Sequence, residues 1–140
     1  MHLVRGSAAP AYDAPGHFGC SMQYLQGRDA GPAQAAWIGL SCIAPGGHTT
    51  LSASAQEKFY VVIEGALEIT GVSPAGVSTT SVLGPLDSCR IAPGEARQLH
   101  NRSADPVRVL LVMAQPAVSS APTPAAAPAA ASAPAPASDG

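Results

Sequence analysis

The side chains best suited to chemistry in this sequence lie in two segments, residues 45–65 and 86–101. In the first segment, polar residues alternate with small apolar ones, and Lys58 and Tyr60 follow. The second segment contributes Arg97. An arginine can hold a carboxylate through paired N–H donors, a lysine acts as a point charge, and a tyrosine adds a hydroxyl. These residue types are suited to binding an anion.

Composition narrows the classes of function. The chain has 140 residues, enough for one domain of ordinary size. Charged residues make up 11%, the net charge is −2 and no basic patch stands out, so we expect no nucleic-acid partner. Three scattered cysteines form no CxxC pair, which argues against a disulfide framework or a zinc knuckle and favours a reducing compartment. No apolar run has the length of a signal peptide or membrane helix, so we expect a cytoplasmic protein without a membrane partner.

The composition changes sharply at Pro116. Alanine and proline fill most of residues 116–140. Frequent proline blocks helical geometry, and the segment has no large side chain whose burial could offset the entropy of ordering. We therefore predict a folded domain over residues 1–115 and a disordered Ala/Pro-rich tail over residues 116–140.

Short strand patterns dominate the predicted domain. Segments rich in β-branched or apolar residues are bounded by Gly, Pro, Asp or Ser, and residues 71–76 resemble a hairpin connection. No stretch keeps a period of 3.6 residues over ten positions. The pattern predicts an all-β domain, either an antiparallel sandwich or a barrel. The predicted strands are 35–43, 58–64, 66–70, 78–83, 88–92 and 107–114.

Both segments with chemical potential resemble the two motifs of the cupin superfamily of small β-barrels. The first family motif, G-x5-H-x-H-x3-4-E-x6-G, has its glycine frame in Gly46 and Gly65. The second, G-x5-P-x-G-x2-H-x3-N, has Gly94 and Asn101 in frame. The resemblance covers roughly residues 35–115. It implies a cupin-like antiparallel β-barrel, also called a double-stranded β-helix or jelly roll.

In that family, three histidines and a glutamate converge on a divalent cation inside the barrel. The corresponding positions in this sequence hold Ser52, Ser54, Lys58 and Arg97. Serine hydroxyls are poor ligands for Fe, Mn, Ni or Zn, and two cationic side chains would repel a dication. The resemblance therefore predicts a barrel without the usual metal site and without a cofactor.

Other residues could rebuild a metal site with displaced ligands. Strand alternation puts His48 on the same face as Ser52 and Ser54, and Gln56 and Glu57 lie close by in sequence. No spacing rule supports a ligand set of His48, Gln56 and Glu57. A metal-dependent site of this kind stays an alternative.

The alternation in residues 50–56 allows two orientations of this strand. By periodicity alone the polar face would point to solvent, whereas the resemblance implies that it lines the barrel cavity. We expect it to line the cavity, because the opposite face carries only small apolar residues. The candidate ligand-binding residues are then His48, Ser52, Ser54, Gln56, Glu57 and Asn101.

Through the resemblance, Lys58 and Arg97 would approach each other near the position of the family's metal. Two like charges in a confined site are costly unless an anion joins them. That anion is either a group of a ligand or a protein carboxylate in a plain salt bridge. The protein candidates are Glu57, Glu64 and Asp87.

The functional hypothesis assigns three catalytic candidates, Lys58, Arg97 and Tyr60. Arg97 would clamp an oxyanion, and burial together with Arg97 would lower the pKa of Lys58 so that it could act as a base or amine nucleophile. Tyr60 shares the strand face of Lys58 and would add a hydroxyl.

Three classes of function remain open. The first is a metal-independent site for a small anionic metabolite, either a binding module or an isomerase or lyase. The second is a metal-dependent cupin enzyme, a dioxygenase or decarboxylase, with displaced ligands. The third is a non-catalytic regulatory cupin domain. The resemblance also implies a homodimer, because cupin domains often pair through sheet edges.

Overall fold

Ten strands and two short 3-10 helices make up the structure, a computed structural model that describes residues 1–115. The predicted disordered tail over residues 116–140 lies outside the described residues. The 3-10 helices are Gly6–Ala8 and Arg28–Ala30. The strands are β1 (Ala11–Tyr12), β2 (His17–Gln26), β3 (Ala36–Thr49), β4 (Ser52–Ala53), β5 (Lys58–Glu64), β6 (Leu67–Val72), β7 (Ser78–Leu83), β8 (Ser88–Ile91), β9 (Ala96–His100) and β10 (Val107–Ala114).

The strands form one sheet that curls into a nearly closed barrel. Its main path runs in the order β7-β6-β9-β3-β10-β5-β8; β2 pairs with β3, β1 with β2, and β4 with β9. Every pairing is antiparallel. The predicted all-β class and antiparallel barrel are confirmed. In the described part of the chain, no helix is long and apolar enough to cross a membrane.

Three predicted strands, β5, β7 and β10, begin and end at the predicted residues. The sequence pattern missed β2 and β9. β2 contains a glycine and no β-branched residue, and β9 is short and polar, so long-range pairing rather than strand propensity places them. β3 also runs past its predicted end at residue 43, through Pro45 and two glycines to Thr49.

The core lies where inward side chains of the central strands meet. On β5 the inward residues are Lys58, Tyr60 and Val62, and Val62 is fully buried. β5 therefore leads from a polar cavity at its start into the apolar core. The core cluster is Ile43, Tyr60, Val62, Leu67, Ile69, Ile91, Leu99, Val107 and Val109.

Hydrogen bonds and strand pairing hold the N-terminal segment against the barrel. A ring nitrogen of His2, Nε2, lies 2.8 Å from the carbonyl oxygen of Ala30, and the side-chain amide of Gln26 donates to the His2 carbonyl at 3.3 Å. β1 also pairs with β2. These contacts bring residues 13–15 and Arg28 to the wall of a cavity.

Candidate functional site

A cavity lies at the end of the barrel where β5 begins, and it has an inner and an outer part. The inner part has a volume of about 240 Å³ and the outer part about 360 Å³. Trp37, Lys58 and Arg97 line both parts. Ligand pockets in proteins measure about 300–1,000 Å³, so the cavity suits a small metabolite.

Lys58 is the first residue of β5 and lines the cavity. It is buried, and its Nζ donates to Ser54 Oγ at 2.8 Å. Burial, and then the positive charge of Arg97, lower the pKa of the Lys58 amine. A lowered pKa increases the neutral fraction of the amine, which is the form that acts as a base or nucleophile.

Arg97 enters the cavity from β9, which pairs with β4 in a register that sets Ser52 opposite Arg97. Its Nη1 donates to Ser52 Oγ at 3.1 Å and to the Thr50 carbonyl at 3.4 Å, and its Nε donates to Tyr60 Oη at 2.9 Å. These bonds hold the guanidinium in place. The N–H groups on Nη2 have no acceptor among residues 1–115, so they are left to bind a ligand.

Tyr60 lies between the core and the cavity and is buried. Its oxygen accepts a hydrogen bond from Arg97, while its own proton has no acceptor within the described residues. Burial raises the pKa of Tyr60, and Arg97 opposes that shift. The hydroxyl therefore stays protonated at neutral pH and can donate to a ligand oxygen.

The predicted salt-bridge partners of the two cavity cations bond elsewhere. Glu57 pairs with Arg90, Glu64 with Arg108 at 3.7 Å, and Asp87 accepts from the Gly84 N–H at 2.9 Å. Among residues 1–115, no carboxylate oxygen lies within 4.0 Å of Lys58 or Arg97. Glu57, predicted to bind ligand, instead forms this outer ion pair.

The polar residues ahead of β5 lie at the mouth of the cavity. Ser52, Ser54 and Gln56 all line its outer part. Ser52 and Ser54 also orient Arg97 and Lys58 through the hydrogen bonds described above. The polar face of this segment therefore faces the cavity.

His48, predicted on the cavity wall, lies on the outer face of β3. Its ring stacks on Phe18 with centroids 5.1 Å apart and tilts against His100 at 5.6 Å. Its neighbour Thr49 points inward, is fully buried and accepts from the Leu99 N–H at 3.0 Å. The expected alternation fails because β3 ends at Thr49 and the chain turns before β4 begins.

Asn101, also predicted to bind ligand, is fully buried and holds the turn after β9. Its Nδ2 donates to the carbonyls of Ile43 and Asp105 at 2.9 and 2.8 Å. Its Oδ1 accepts from the Ser103 N–H at 3.0 Å and from Ser103 Oγ at 2.7 Å. Every donor and acceptor position of the amide is used, so none remains for a ligand.

The sequence analysis did not place Tyr12 or Tyr24 at the cavity. Tyr12 and Tyr24 stack with ring centroids 4.0 Å apart, and Trp37 meets both rings edge-on. The Arg28 guanidinium lies 5.2 Å from the centroid of the Trp37 ring and 5.8 Å from that of Tyr24. With Tyr60, all tyrosines and the tryptophan of the chain line this cavity. The small number of aromatic residues in the composition was the one signal in the sequence for this aromatic wall.

The cupin-domain family model matches residues 39–113 of the chain. The chain is also 41% identical over 121 residues to a Mycobacterium tuberculosis protein named beta-D-galactosidase, across 86% of this chain and 100% of that protein. The chain belongs to the cupin superfamily.

Solved structures share the fold of this cupin. An RmlC-like cupin from Shewanella frigidimarina has a TM-score of 0.65 at 18% identity, covering 85% of this chain and 94% of that one. The polyketide cyclase RemF from Streptomyces resistomycificus has a TM-score of 0.67 at 20% identity, covering 87% and 89%. A cupin 2 domain-containing protein from Halorhodospira halophila is 31% identical with a TM-score of 0.62, covering 69% and 64%. The first two likenesses, at such low identity, show the fold alone.

Among the described residues, the lining of the cavity has one imidazole, His17, and one carboxylate, Asp13. Within residues 1–115, no three or more His, Cys, Asp or Glu side chains are grouped so that they could hold a metal ion. Lys58 and Arg97 instead place two cationic groups on the wall, and these repel a dication. The residues present therefore do not fit Fe, Mn, Ni or Zn.

Tyr12 should make the stability of this cupin depend on alkaline pH. Burial, and then Tyr24, raise its pKa to about 12 from an ordinary value of 10.0. Between these values the unfolded state binds fewer protons than the folded state, so the free energy of unfolding should fall as pH rises. Urea unfolding at about pH 9, 10 and 11 measures this fall.

The matched comparison is Tyr12→Phe, which should make the fall in stability with pH less steep. Tyr60, whose pKa is also raised, keeps part of the pH dependence in both proteins. Lys58 acts with the opposite sign, because its lowered pKa lets the unfolded state bind more protons as pH approaches 10.5. That contribution is common to both proteins and cancels in the difference between them. Parallel curves for the two proteins would contradict the role given to Tyr12.

Proposed function

We propose that this cupin binds a small anionic metabolite in its barrel cavity without a metal ion and acts on it as an isomerase or lyase. One observation carries the proposal: Lys58 and Arg97 are both buried in the cavity, and no carboxylate of residues 1–115 pairs with either. Neighbouring buried cations cost free energy unless an anion compensates them. A ligand carboxylate or phosphate would supply that charge.

The hydrogen bonds of the site support distinct roles for its three central residues. The Arg97 Nη2 donors and the Tyr60 O–H would bind the oxygens of the anion, since neither has an acceptor among the described residues. Lys58 keeps one bond, to Ser54, and its lowered pKa increases the fraction of neutral amine that can accept a proton from the ligand. This division of roles supports proton transfer rather than binding alone.

A second candidate is hydrolysis of β-D-galactosides. The 41% identity to the protein named beta-D-galactosidase favours it, and aromatic side chains line part of the cavity wall. Glycoside hydrolysis commonly uses two carboxylates. Of the residues that the structure describes, Asp13 is the one carboxylate in the cavity lining. The reaction would therefore depend on Asp13.

Thermal unfolding with a panel of small carboxylates, each matched to its uncharged amide, tests the first candidate, since a ligand of the native state raises its Tm. The protein is purified without a histidine tag and treated with a chelator. We expect at least one carboxylate, and not its amide, to raise Tm by several degrees. Lys58→Met should remove the shift, and Arg90→Met, which alters an outer cation, should retain it. Stabilisation by anions only after Fe, Mn, Ni or Zn is added would overturn the proposal.

Hydrolysis of 4-nitrophenyl β-D-galactoside separates the second candidate from the first. If the cupin is a galactosidase, wild-type protein releases 4-nitrophenol and Asp13→Asn does not. Release that persists in Asp13→Asn would reject this role for Asp13. Absence of release by the wild type would reject the second candidate.

We also propose that the cupin is a cytoplasmic homodimer. β7 is one end of the strand path, and its Val82 is 65% exposed, so its edge is open to pairing with a second copy. Three free cysteines favour a reducing compartment. Sedimentation at about 50 µM should give a dimer mass, and a Val82→Lys variant should be monomeric. A wild-type monomer at that concentration would contradict the assembly.

A further inference from the structure

The cationic side chains of this cupin are divided between its outer surface and its cavity. On the outer surface, three arginines form ion pairs: Arg90 with Glu57, Arg102 with Glu68 and Arg108 with Glu64. In the cavity, Arg28, Lys58 and Arg97 face one carboxylate, Asp13. None of these three cations has a carboxylate oxygen within 4.0 Å among residues 1–115. The cavity thus carries excess positive charge in a chain whose net charge is −2.

Arg28 forms a second cationic position, at the mouth of the cavity. It is exposed, whereas Lys58 and Arg97 are buried. Its backbone φ is +52°, a left-handed conformation that is unfavourable for a residue other than glycine, and Gly27 before it has a φ of +77°. The guanidinium carbon lies over the Trp37 ring, 5.2 Å from its centroid. A guanidinium held over a ring face keeps its N–H groups free to bind an anion.

The wall that Arg28 and the inner cations share is aromatic and tightly packed. Trp37 is 4% exposed and lines both parts of the cavity. A Cβ atom at Gly39 would lie 2.9 Å from Cζ3 of Trp37 and 3.1 Å from Tyr12 Oη, so the rings pack directly on the strand. This packing preorganises the aromatic wall between the two cationic positions.

We infer that the ligand is a dianion. This inference rests on the proposed function, in which the first anionic group binds at Lys58 and Arg97. The second group binds Arg28 at the mouth, and the part of the ligand that joins the two groups lies along the aromatic wall. Two anionic groups would compensate the charge of the three cations more fully than one.

Calorimetric titration with benzoate and isophthalate tests the inference, because the two probes share a ring and differ by one carboxylate. Both are measured at one salt concentration of about 0.1 M, since screening weakens exposed charge pairs. Wild-type protein should bind isophthalate at least about tenfold more tightly than benzoate, as a charge-assisted hydrogen bond to Arg28 would provide. Arg28→Gln should remove this preference, lowering isophthalate affinity by at least about tenfold and benzoate affinity by much less.

Two further variants make the outcomes distinct. Arg28→Lys, which keeps the charge, should retain part of the preference, and Arg90→Met should retain all of it. Equal affinities for the two probes in the wild type, or an undiminished preference in Arg28→Gln, would overturn the dianion and leave the proposed function standing. Binding of neither probe at about 10 mM, together with no response to the carboxylate panel, would overturn both.

Discussion

Replacing Arg97 with methionine should weaken the binding of a small carboxylate by about 100-fold with little net change in the stability of the cupin. The Nη2 donors that are free in the structure would be lost, and hydrogen bonds to charged groups are worth about 1.5–3 kcal/mol each. Removing one of two neighbouring buried cations favours folding, whereas losing the Arg97 hydrogen bonds to Tyr60, Ser52 and Thr50 opposes it, so the two effects on stability offset each other. Calorimetric titration with the best carboxylate of the panel and urea unfolding measure the two effects.

The pH profile gives this prediction a second readout. Arg97 lowers the pKa of Lys58, so its removal should move the Lys58-dependent limb of any activity profile to higher pH. Arg97→Lys should bind better than Arg97→Met, because it keeps a charge but loses the fork of donors. An Arg97→Met protein that binds the carboxylate normally would remove the basis of the proposed function.

Replacing Asn101 with alanine should have the reverse pattern, destabilising the fold by about 3 kcal/mol with little change in carboxylate affinity. The substitution takes the Nδ2 donor from the carbonyls of Ile43 and Asp105, and the Asp105 carbonyl keeps only the hydrogen bond from Ser103 Oγ. A buried polar group left without its partner costs about 1–3 kcal/mol. Urea unfolding measures the loss, and calorimetric titration measures the affinity.

Ser103→Ala is the matched control, because it removes one of the bonds to Asn101 Oδ1 and keeps the backbone one. It should cost about 1 kcal/mol. A large loss of carboxylate affinity in Asn101→Ala at unchanged stability would restore Asn101 as a ligand-binding residue. Arg97 and Asn101 lie four residues apart on one motif, so together they separate binding from folding.

Side-chain direction within a strand was predictable from the sequence. Alternation placed Lys58 and Tyr60 on one face of β5, and both residues are buried there. The cupin motifs then indicated that Arg97 would meet this face, and the Arg97–Tyr60 hydrogen bond joins them at 2.9 Å. These inferences held because direction within a strand depends on neighbouring residues, and because the motifs carry the pairing of strands that are distant in sequence.

Strand alternation did not predict side-chain direction where strands end or bend. His48 and Ser52 have the same parity, yet β3 ends between them, so only Ser52 lines the cavity. Asn101 fits a family motif, but its partners Ile43 and Asp105 show that it stabilises a turn. A motif position identifies where a residue sits and leaves its hydrogen-bond partners undetermined.

Sequence alone thus indicated an antiparallel barrel with Lys58, Tyr60 and Arg97 facing its interior, because strand alternation and motif spacing are local properties. The tertiary structure was needed to show which residues form the outer ion pairs and that Arg28 lies over Trp37. It was also needed to show that no carboxylate of residues 1–115 pairs with the cavity cations. The ion pairs follow from the pairings of β5 with β8, of β6 with β9 and of β5 with β10, and the Arg28–Trp37 contact follows from the pairing of β2 with β3. Such contacts join residues far apart in the chain, and neither strand propensity nor residue spacing predicts which of these residues come into contact.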